Sequence, residues 1–547
     1  MPDLYPSANA TMEAANLTNY VPDTRDEISL LGRMDFWTTL GVGVGVLLLS
    51  IVTTVLTQLR RPSRKLPLVN KAPPLDFFGS TPAQKFTFNA RRLFEEGRKK
   101  FPTQPYRMMT DVGEIIILPN EFAHDIRNER ALNMPQALAL NFQSQLSGFE
   151  GIAIATRPDE LFQRVISKHV TKLLNSVTQP LSAEAAFACD RIFGSSTEWQ
   201  EHKIYDSALD LIARMSSRVF LGGNLCRNEE WLSITKTHVL NAFSTGQMLR
   251  KYPYCARFVV QWFHPRCRAL RKQVSRTKSI VEPEIQRRRR LREQARQEGK
   301  PEPRFPDAID WFEEESKGQE YCVAGAQLGL SLVAIHTSTD LLVETMLYLA
   351  KDPSLINALR KEIIEVLSAD GWKKTALFNM KLMDSVLKEA QRLKPTTIAI
   401  MNRVATRPVT LPNGLQLQKG ETTTCDIGMM YDPAIYPDPK TFDPYRFLRM
   451  REDAAAGGVN NPAANLVTTS PTHLGFGHGY YACPGRFFAS NELKVALVHL
   501  LMKYDWKLTP GYKRRWVEVA LAWGTDDSAR LLMKTREAPE IDVDFIQ

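Results

Sequence analysis

The stretch FGHGYYACPGRFF, Phe476 to Phe488, places one cysteine, Cys483, between Gly479 and Gly485, with Phe476 upstream and Pro484 directly after it. Proline suits the first turn of a helix, and Arg486 to Val498 carries helical apolar spacing. Cys483 is therefore predicted at a helix start, where unpaired backbone N–H groups point toward its sulfur and favour the thiolate. Gly479 and Gly485 have no side chain, so backbone there can pass close to a flat, bulky group. Phe476 offers an apolar cover. A single thiolate held against something planar and shielded from water suits the axial ligand of a haem iron. The competing reading is a buried structural cysteine beside a tight turn.

The rest of the chain narrows the setting. Its 547 residues are 24% charged and 44% hydrophobic, an ordinary globular balance. A net charge of +10 and a pI near 9.1 fit nucleic acid, an anionic membrane surface or an acidic partner. The seven cysteines, Cys189, Cys226, Cys255, Cys267, Cys322, Cys425 and Cys483, are scattered, with no C-x-x-C pair. That spacing argues against a disulfide framework, a zinc knuckle and an iron–sulfur cluster, and for a reducing compartment.

From Phe36 to Thr57 there is no charge, which is long enough for a helix to cross a membrane. Arg60, Arg61, Arg64 and Lys65 follow at once, whereas Asp3, Glu13, Asp23, Asp26, Glu27 and Asp35 precede it against only Arg25 and Arg33. The positive-inside rule puts the C-terminal side in the cytosol. The run is too long and begins too late for a cleaved signal peptide, and it lacks a basic start. The expected organisation is a lumenal tail over 1–35, an anchor over 36–59, a basic proline-rich linker over 60–75 and a cytosolic domain over 76–547. The tail holds two glycosylation patterns, at Asn9 and Asn16.

In the cytosolic part helical patterns dominate: Glu160 to Leu174, Ala324 to Ala350, Ile356 to Leu367 and Met380 to Leu393, the last stopped by Pro395. Strand signals are fewer: Glu114 to Leu118, and Val409–Leu411 with Leu415–Leu417 joined through Pro412-Asn413-Gly414. The fold class is mainly α with small β-sheets. The basic stretch Gln286 to Arg304 reads as a solvated helix end and loop, not as a nucleic-acid patch, because a membrane anchor lies upstream.

Phe476, Gly479, Cys483 and Gly485 form F-x-x-G-x-x-x-C-x-G, which resembles the haem-ligand loop of cytochrome P450 monooxygenases. Three further features stand in the order that family shows. Glu389-Ala390-Gln391-Arg392 matches its E-x-x-R helix, where residues three apart share a face. Arg446, in Pro444-Tyr445-Arg446-Phe447, matches the arginine that completes a structural Glu–Arg–Arg cluster. Val333 to Ser338, with Thr337, falls where the family has its oxygen-binding groove. The resemblance spans the chain from anchor to C-terminus and implies a P450 fold behind one transmembrane helix.

It also implies haem b bound through Cys483, dioxygen as co-substrate and two electrons from NADPH. No flavin domain follows the haem loop, so the expected donor is a membrane-bound NADPH–cytochrome P450 reductase, and the positive charge suits docking to an acidic face. Arg403, in MNRVA, matches a propionate-binding arginine. Tyr481 stands where many members have a basic propionate ligand and offers one neutral hydrogen bond. For the usual basic residue on the earlier haem-facing helix, Arg164, Lys168 and His169 all remain candidates. Thr337 is expected to help deliver protons. His336 replaces the acid usual beside it and is either a proton relay or a core histidine.

Leu330 to Ala334, Ile398 to Ile400 and Ala520 to Trp523 are apolar where the family lines its pocket, so the substrate is expected to be apolar and membrane-soluble. AIHTS and FGHGYYACPGRFFA look like filamentous-fungal P450s of secondary metabolism, including the ent-kaurene-oxidase-like group. That likeness suggests hydroxylation of a terpenoid or meroterpenoid at the endoplasmic reticulum membrane, with no nucleic-acid partner. The alternatives are a P450-fold enzyme that rearranges or dehydrates an oxygenated substrate, and a noncatalytic haem sensor.

Overall fold

The computed structural model of the protein describes Gly41, Gly45 and residues 66–73, 76, 80–457 and 461–546. The expected lumenal tail with Asn9 and Asn16, the anchor over 36–59 apart from those two glycines, and the basic start of the linker lie outside the described residues. From Leu66 onward the chain forms one compact unit. Val69 N–H donates to Arg107 C=O (3.1 Å), and Arg107 N–H to Pro67 C=O (2.8 Å). The proline-rich stretch is thus docked on the domain from Pro67, ahead of the boundary expected at 76. Its prolines lack N–H groups but keep their carbonyls as acceptors.

Helices carry the fold. Those that build the site are α1 (Leu161–Val165), α2 (Leu174–Phe193), α3 (Ile204–Phe220), α4 (Glu229–Arg250), α5 (Pro265–Gln297), α6 (Ala308–Ser316), α7 (Val323–Leu349), α8 (Lys381–Leu393) and α9 (Arg486–Lys503). α7 is apolar nearly all round, because it runs through the core and packs on α3, α4, α5 and the short helix Glu150–Ala155. A Cβ on Gly329 would sit 2.7 Å from Gly151 C=O, so glycine lets the two backbones touch. Among the described residues α7 is the one helix long and apolar enough to cross a membrane, but most of it is buried inside the protein.

All residues of α8 from Leu382 to Leu393 are buried, so its charged members need internal partners. Asp384 pairs with Lys494 (2.7 Å), and Lys388 donates to the carbonyls of Asn465 (2.8 Å) and Thr468 (3.2 Å). The helix expected over Glu160 to Leu174 is instead broken. After α1 comes a π turn, Ile166–Val170, then a non-helical stretch before α2.

The strands are β1 (Tyr106–Thr110), β2 (Gly113–Leu118), β3 (Leu132–Asn133), β4 (Gln200–Lys203), β5 (Ala399–Ala405), β6 (Val409–Thr410), β7 (Gln416–Leu417), β8 (Thr422–Asp426), β9 (Tyr504–Leu508), β10 (Val517–Val519), β11 (Ala522–Gly524) and β12 (Arg530–Thr535). One sheet has the order β1-β2-β8-β5-β3, and a smaller one the order β4-β12-β9. β6 and β7 form the hairpin expected through Asn413-Gly414, with Gly414 at φ +81°. The register of β5 against β8 shifts between Ile400 and Arg403, and Met401 there has φ +61°. That bulge re-aims the side chains at this end of β5.

The basic end of α5 differs from the expected solvated face at one residue. Arg288 is buried and donates two parallel hydrogen bonds of 2.6 Å to Asp307.

Candidate active site

The cysteine loop is closed by Cys483 N–H donating to Phe476 C=O (2.8 Å). α9 begins at Arg486 with Gly485 as its cap, so Pro484 precedes the helix and does not occupy its first turn. The backbone N–H groups of Gly485 and Arg486 lie on the side of the Cys483 sulfur and favour its thiolate. Burial pushes the thiol up, while those N–H groups and the Arg486 charge pull it back.

The two glycines have different reasons. Gly479 has φ +78°, and a Cβ there would lie 2.3 Å from Arg127 C=O, so this glycine serves packing against residue 127. A Cβ on Gly485 would make ordinary contact with Cys483 Sγ and Ile166 at 3.9 Å, so this glycine is not forced by packing and lines an interior space.

That space is a cavity of about 400 Å³. Phe476, Cys483 and Gly485 line it, and so do Leu330, Val333, Ala334 and Thr337 of α7. The Thr337 hydroxyl donates to Val333 C=O (2.8 Å), which leaves its lone pairs free to accept. His336 is not among the lining residues. Its Nε2 lies 3.0 Å from Lys236 C=O on α4 and its Nδ1 3.3 Å from the Tyr205 hydroxyl on α3. Burial holds its pKa below the ordinary value. The carbonyl comes from another helix, so His336 ties α7 to α4.

Arg403 and Tyr481 both line the cavity, the guanidinium 4.7 Å from the centre of the Tyr481 ring. Asn133 Nδ2 donates to the Tyr481 hydroxyl (3.3 Å). Arg403 is 2% exposed, and among the described residues its Nε and Nη2 have no hydrogen-bond partner. Burial pushes its pKa down to about 10. A buried cation with free donors and no paired carboxylate is a site for an anionic group.

Arg164, Lys168 and His169 all turn away. Each meets Glu315 on α6, at 3.4, 3.2 and 3.1 Å. Gln163, Ile166 and Val170, at helical spacing on the other face, line the cavity instead. The apolar segments divide too. Ile400 lines the cavity, whereas Ile398 and Trp523 pack in a separate core with Phe86 and Phe94, and no residue of Ala520 to Trp523 is a lining residue.

Glu389, Arg392 and Arg446 come together away from the cavity. Arg392 donates Nε and Nη2 to the two Glu389 oxygens (2.8 Å each), and Arg446 Nε donates to Glu389 Oε1 (3.1 Å). The spare donors reach the carbonyls of Met430 (2.6 Å), Pro439 (2.8 Å) and Pro437 (2.7 Å). Three buried groups escaped the sequence reading: Glu492 on α9, and the Asp340–Lys394 pair, which joins α7 to the end of α8. The available signal was a charge inside an otherwise apolar helical run.

With this geometry in place, the comparisons with known proteins decide the family. Residues 122–519 match the family model described as Cytochrome P450. The chain belongs to the cytochrome P450 family. This P450 is 40% identical over 486 residues to the cytochrome P450 monooxygenase eqxH of Fusarium heterosporum, covering 88% of this chain and 93% of the relative. It is 38% identical over 433 residues to the dihydro-ML-236C monooxygenase mlcC of Penicillium citrinum, covering 79% and 83%. A retinoic-acid-bound cyanobacterial CYP120A1 shares the fold, with a TM-score of 0.63 at 18% identity over 86% of this chain and 99% of the other.

Members of the family carry haem-thiolate iron, use dioxygen and reducing equivalents, and generally take a reductase partner and hydrophobic substrates. Two observations fit such a cofactor here: the donors of buried Arg403 that have no partner among the described residues, and the cavity lined by Gly485 beside Cys483.

Proposed function

We propose that this P450 hydroxylates an apolar secondary-metabolite intermediate, a terpenoid or meroterpenoid, with electrons passed from NADPH by a membrane-bound reductase. The observation that carries the reading is that Cys483 and Thr337 line one cavity whose α7 wall is Leu330, Val333 and Ala334. Cys483 would hold the iron of haem b through its sulfur, and Arg403 and Tyr481 would hold its propionates. When bound, the haem supplies activation of dioxygen for insertion into a C–H bond.

The chain's own groups do the rest. The N–H groups of Gly485 and Arg486 hold the charge of the Cys483 thiolate. Thr337, with its own proton on Val333 C=O, accepts a proton-bearing partner from the cavity side. The apolar wall excludes water and orients the substrate. Glu389, Arg392 and Arg446 are structural, holding α8 against the segment that follows Met430.

The uncharged run over 36–59 anchors the chain in the endoplasmic reticulum membrane, with Asn9 and Asn16 lumenal and open to glycosylation. The net charge of +10 steers an acidic electron donor.

The test is a reduced carbon monoxide spectrum of Cys483→Ala beside the wild type. Loss of the red-shifted band of thiolate-ligated haem is expected, and its survival overturns the assignment. Product measured against NADPH and O₂ consumed then separates the chemistries. Stoichiometric consumption supports hydroxylation, product without consumption supports rearrangement, and a spin shift without turnover supports a sensor.

A further inference from the structure

Three lysines are fully buried among the described residues: Lys388, Lys394 and Lys494. Two are amply paired and stand outside the cavity. Lys388 donates to two carbonyls, and Lys494 to Leu377 C=O (2.9 Å) and Asp384 Oδ1 (2.7 Å). Lys394 differs on both counts. It lines the cavity, and among the described residues Asp340 Oδ2 is its one hydrogen-bond acceptor. An ammonium has three donors, and a buried polar group short of partners is costly.

The charge around it is balanced. Asp340 Oδ1 accepts Thr525 N–H (2.7 Å), and one turn further along α7 Glu344 accepts Thr525 Oγ1 (2.8 Å) and Arg514 Nη2 (2.5 Å). Two carboxylates thus face two cations. A ligand carboxylate would add a third negative charge to a buried neutral cluster, whereas a carbonyl or hydroxyl oxygen adds none.

We propose that Lys394, held by Asp340, is an acceptor subsite of the cavity that binds a neutral oxygen on an otherwise apolar substrate. This rests on the apolar-substrate reading given above. Asp340 lies three residues beyond Thr337 on α7, about 4.5 Å along the helix axis. The substrate oxygen is therefore anchored about one helical turn from Thr337, and the hydrocarbon lies along Leu330, Val333 and Ala334. Lys394 is a specificity-determining residue in this arrangement, and Asp340 is the positioning residue that aims its ammonium.

The test is spectral titration of the full-length holoenzyme with two probes of one skeleton, the ketone nootkatone and the hydrocarbon valencene. The low-to-high-spin shift gives each dissociation constant. The wild type should bind the ketone at least about tenfold more tightly, which is about 1.4 kcal/mol. Lys394→Met removes the donor but leaves Asp340 without its cation, so the double variant Asp340→Asn/Lys394→Met is measured beside it. In the double variant the ketone preference should vanish while haem content holds, and Lys394→Arg should keep part of it. Equal binding of the two probes by the wild type, or an undiminished preference in the double variant, overturns the subsite alone. A holoenzyme that responds to neither probe overturns the apolar-substrate reading and this proposal with it.

Discussion

Glu389 and Arg392 meet through two parallel hydrogen bonds of 2.8 Å, with neither side chain exposed to solvent. Arg446 adds a third bond to the same carboxylate. Removing one partner of a buried ion pair leaves the other charge uncompensated, which costs about 3–5 kcal/mol. Arg392→Ala should therefore lose haem incorporation and not yield an inactive holoprotein. Arg392→Lys keeps the charge but not the fork, and should fall between the two. The measurement is haem per polypeptide beside the melting temperature, and full haem occupancy in Arg392→Ala would refute the structural role.

Arg403 should behave in the opposite sense in the apoprotein. Its guanidinium is buried without a carboxylate, and burial has pushed its pKa down to about 10 from the ordinary arginine range. A cation in that state destabilises the empty fold by on the order of 3 kcal/mol. Arg403→Met should thus raise the melting temperature of the apoprotein and yet speed haem loss to a scavenging apoprotein by at least about tenfold. A variant that melts lower as apoprotein and keeps its haem would show that Arg403 serves packing alone.

His336 sits between α3 and α4, bonded to Lys236 C=O and near the Tyr205 hydroxyl, and outside the cavity. Its replacement should cost stability and leave chemistry alone. His336→Ala loses two partly buried hydrogen bonds, about 1–3 kcal/mol in all, while product formed per NADPH stays at the wild-type level. Thr337→Ala, on the cavity face, should instead leak electrons to peroxide. Uncoupling in His336→Ala equal to that in Thr337→Ala would restore the relay reading.

The parts legible in the sequence are those fixed by local backbone chemistry or by an obligatory partner. The Cys483 loop and the E-x-x-R pair could be read because their spacing alone brings the groups together. The β6–β7 hairpin could be read because Asn413-Gly414 offers the positive φ its turn takes. What escaped was facing. A periodic pattern over Glu160 to Leu174 assumes one helical phase. The π turn at Ile166–Val170 breaks that helix, and Arg164, Lys168 and His169 go to Glu315, a partner on a distant helix that local spacing cannot reveal. The apolar Ala520 to Trp523 likewise shows no sign in its composition of which cavity or core it serves, and tertiary packing sent Trp523 to the cluster around Phe86.

Glu492 gives the last prediction. It is wholly buried on α9, where it accepts from the Ser216 hydroxyl (2.5 Å), while among the described residues its Oε2 has no hydrogen-bond partner. Burial raises its pKa from the ordinary 4.5 to about 8, and the Ser216 and Ser338 hydroxyls offset little of that. Between pH 4.5 and 8 the folded chain therefore keeps a proton that the unfolded chain has released. Stability contributed by this group is present below pH 4.5 and is lost as pH rises toward 8. Glu492→Gln keeps an acceptor for Ser216 but cannot ionise. Its melting temperature should match that of the wild type at pH 5 and exceed it increasingly toward pH 8, by up to a few kcal/mol in stability at roughly 1.4 kcal/mol for each unit of the window. Thermal unfolding of both proteins at several pH values reads this directly. A difference that stays flat, or that favours the wild type at pH 8, would mean that Glu492 is charged in the fold and has found a partner for it.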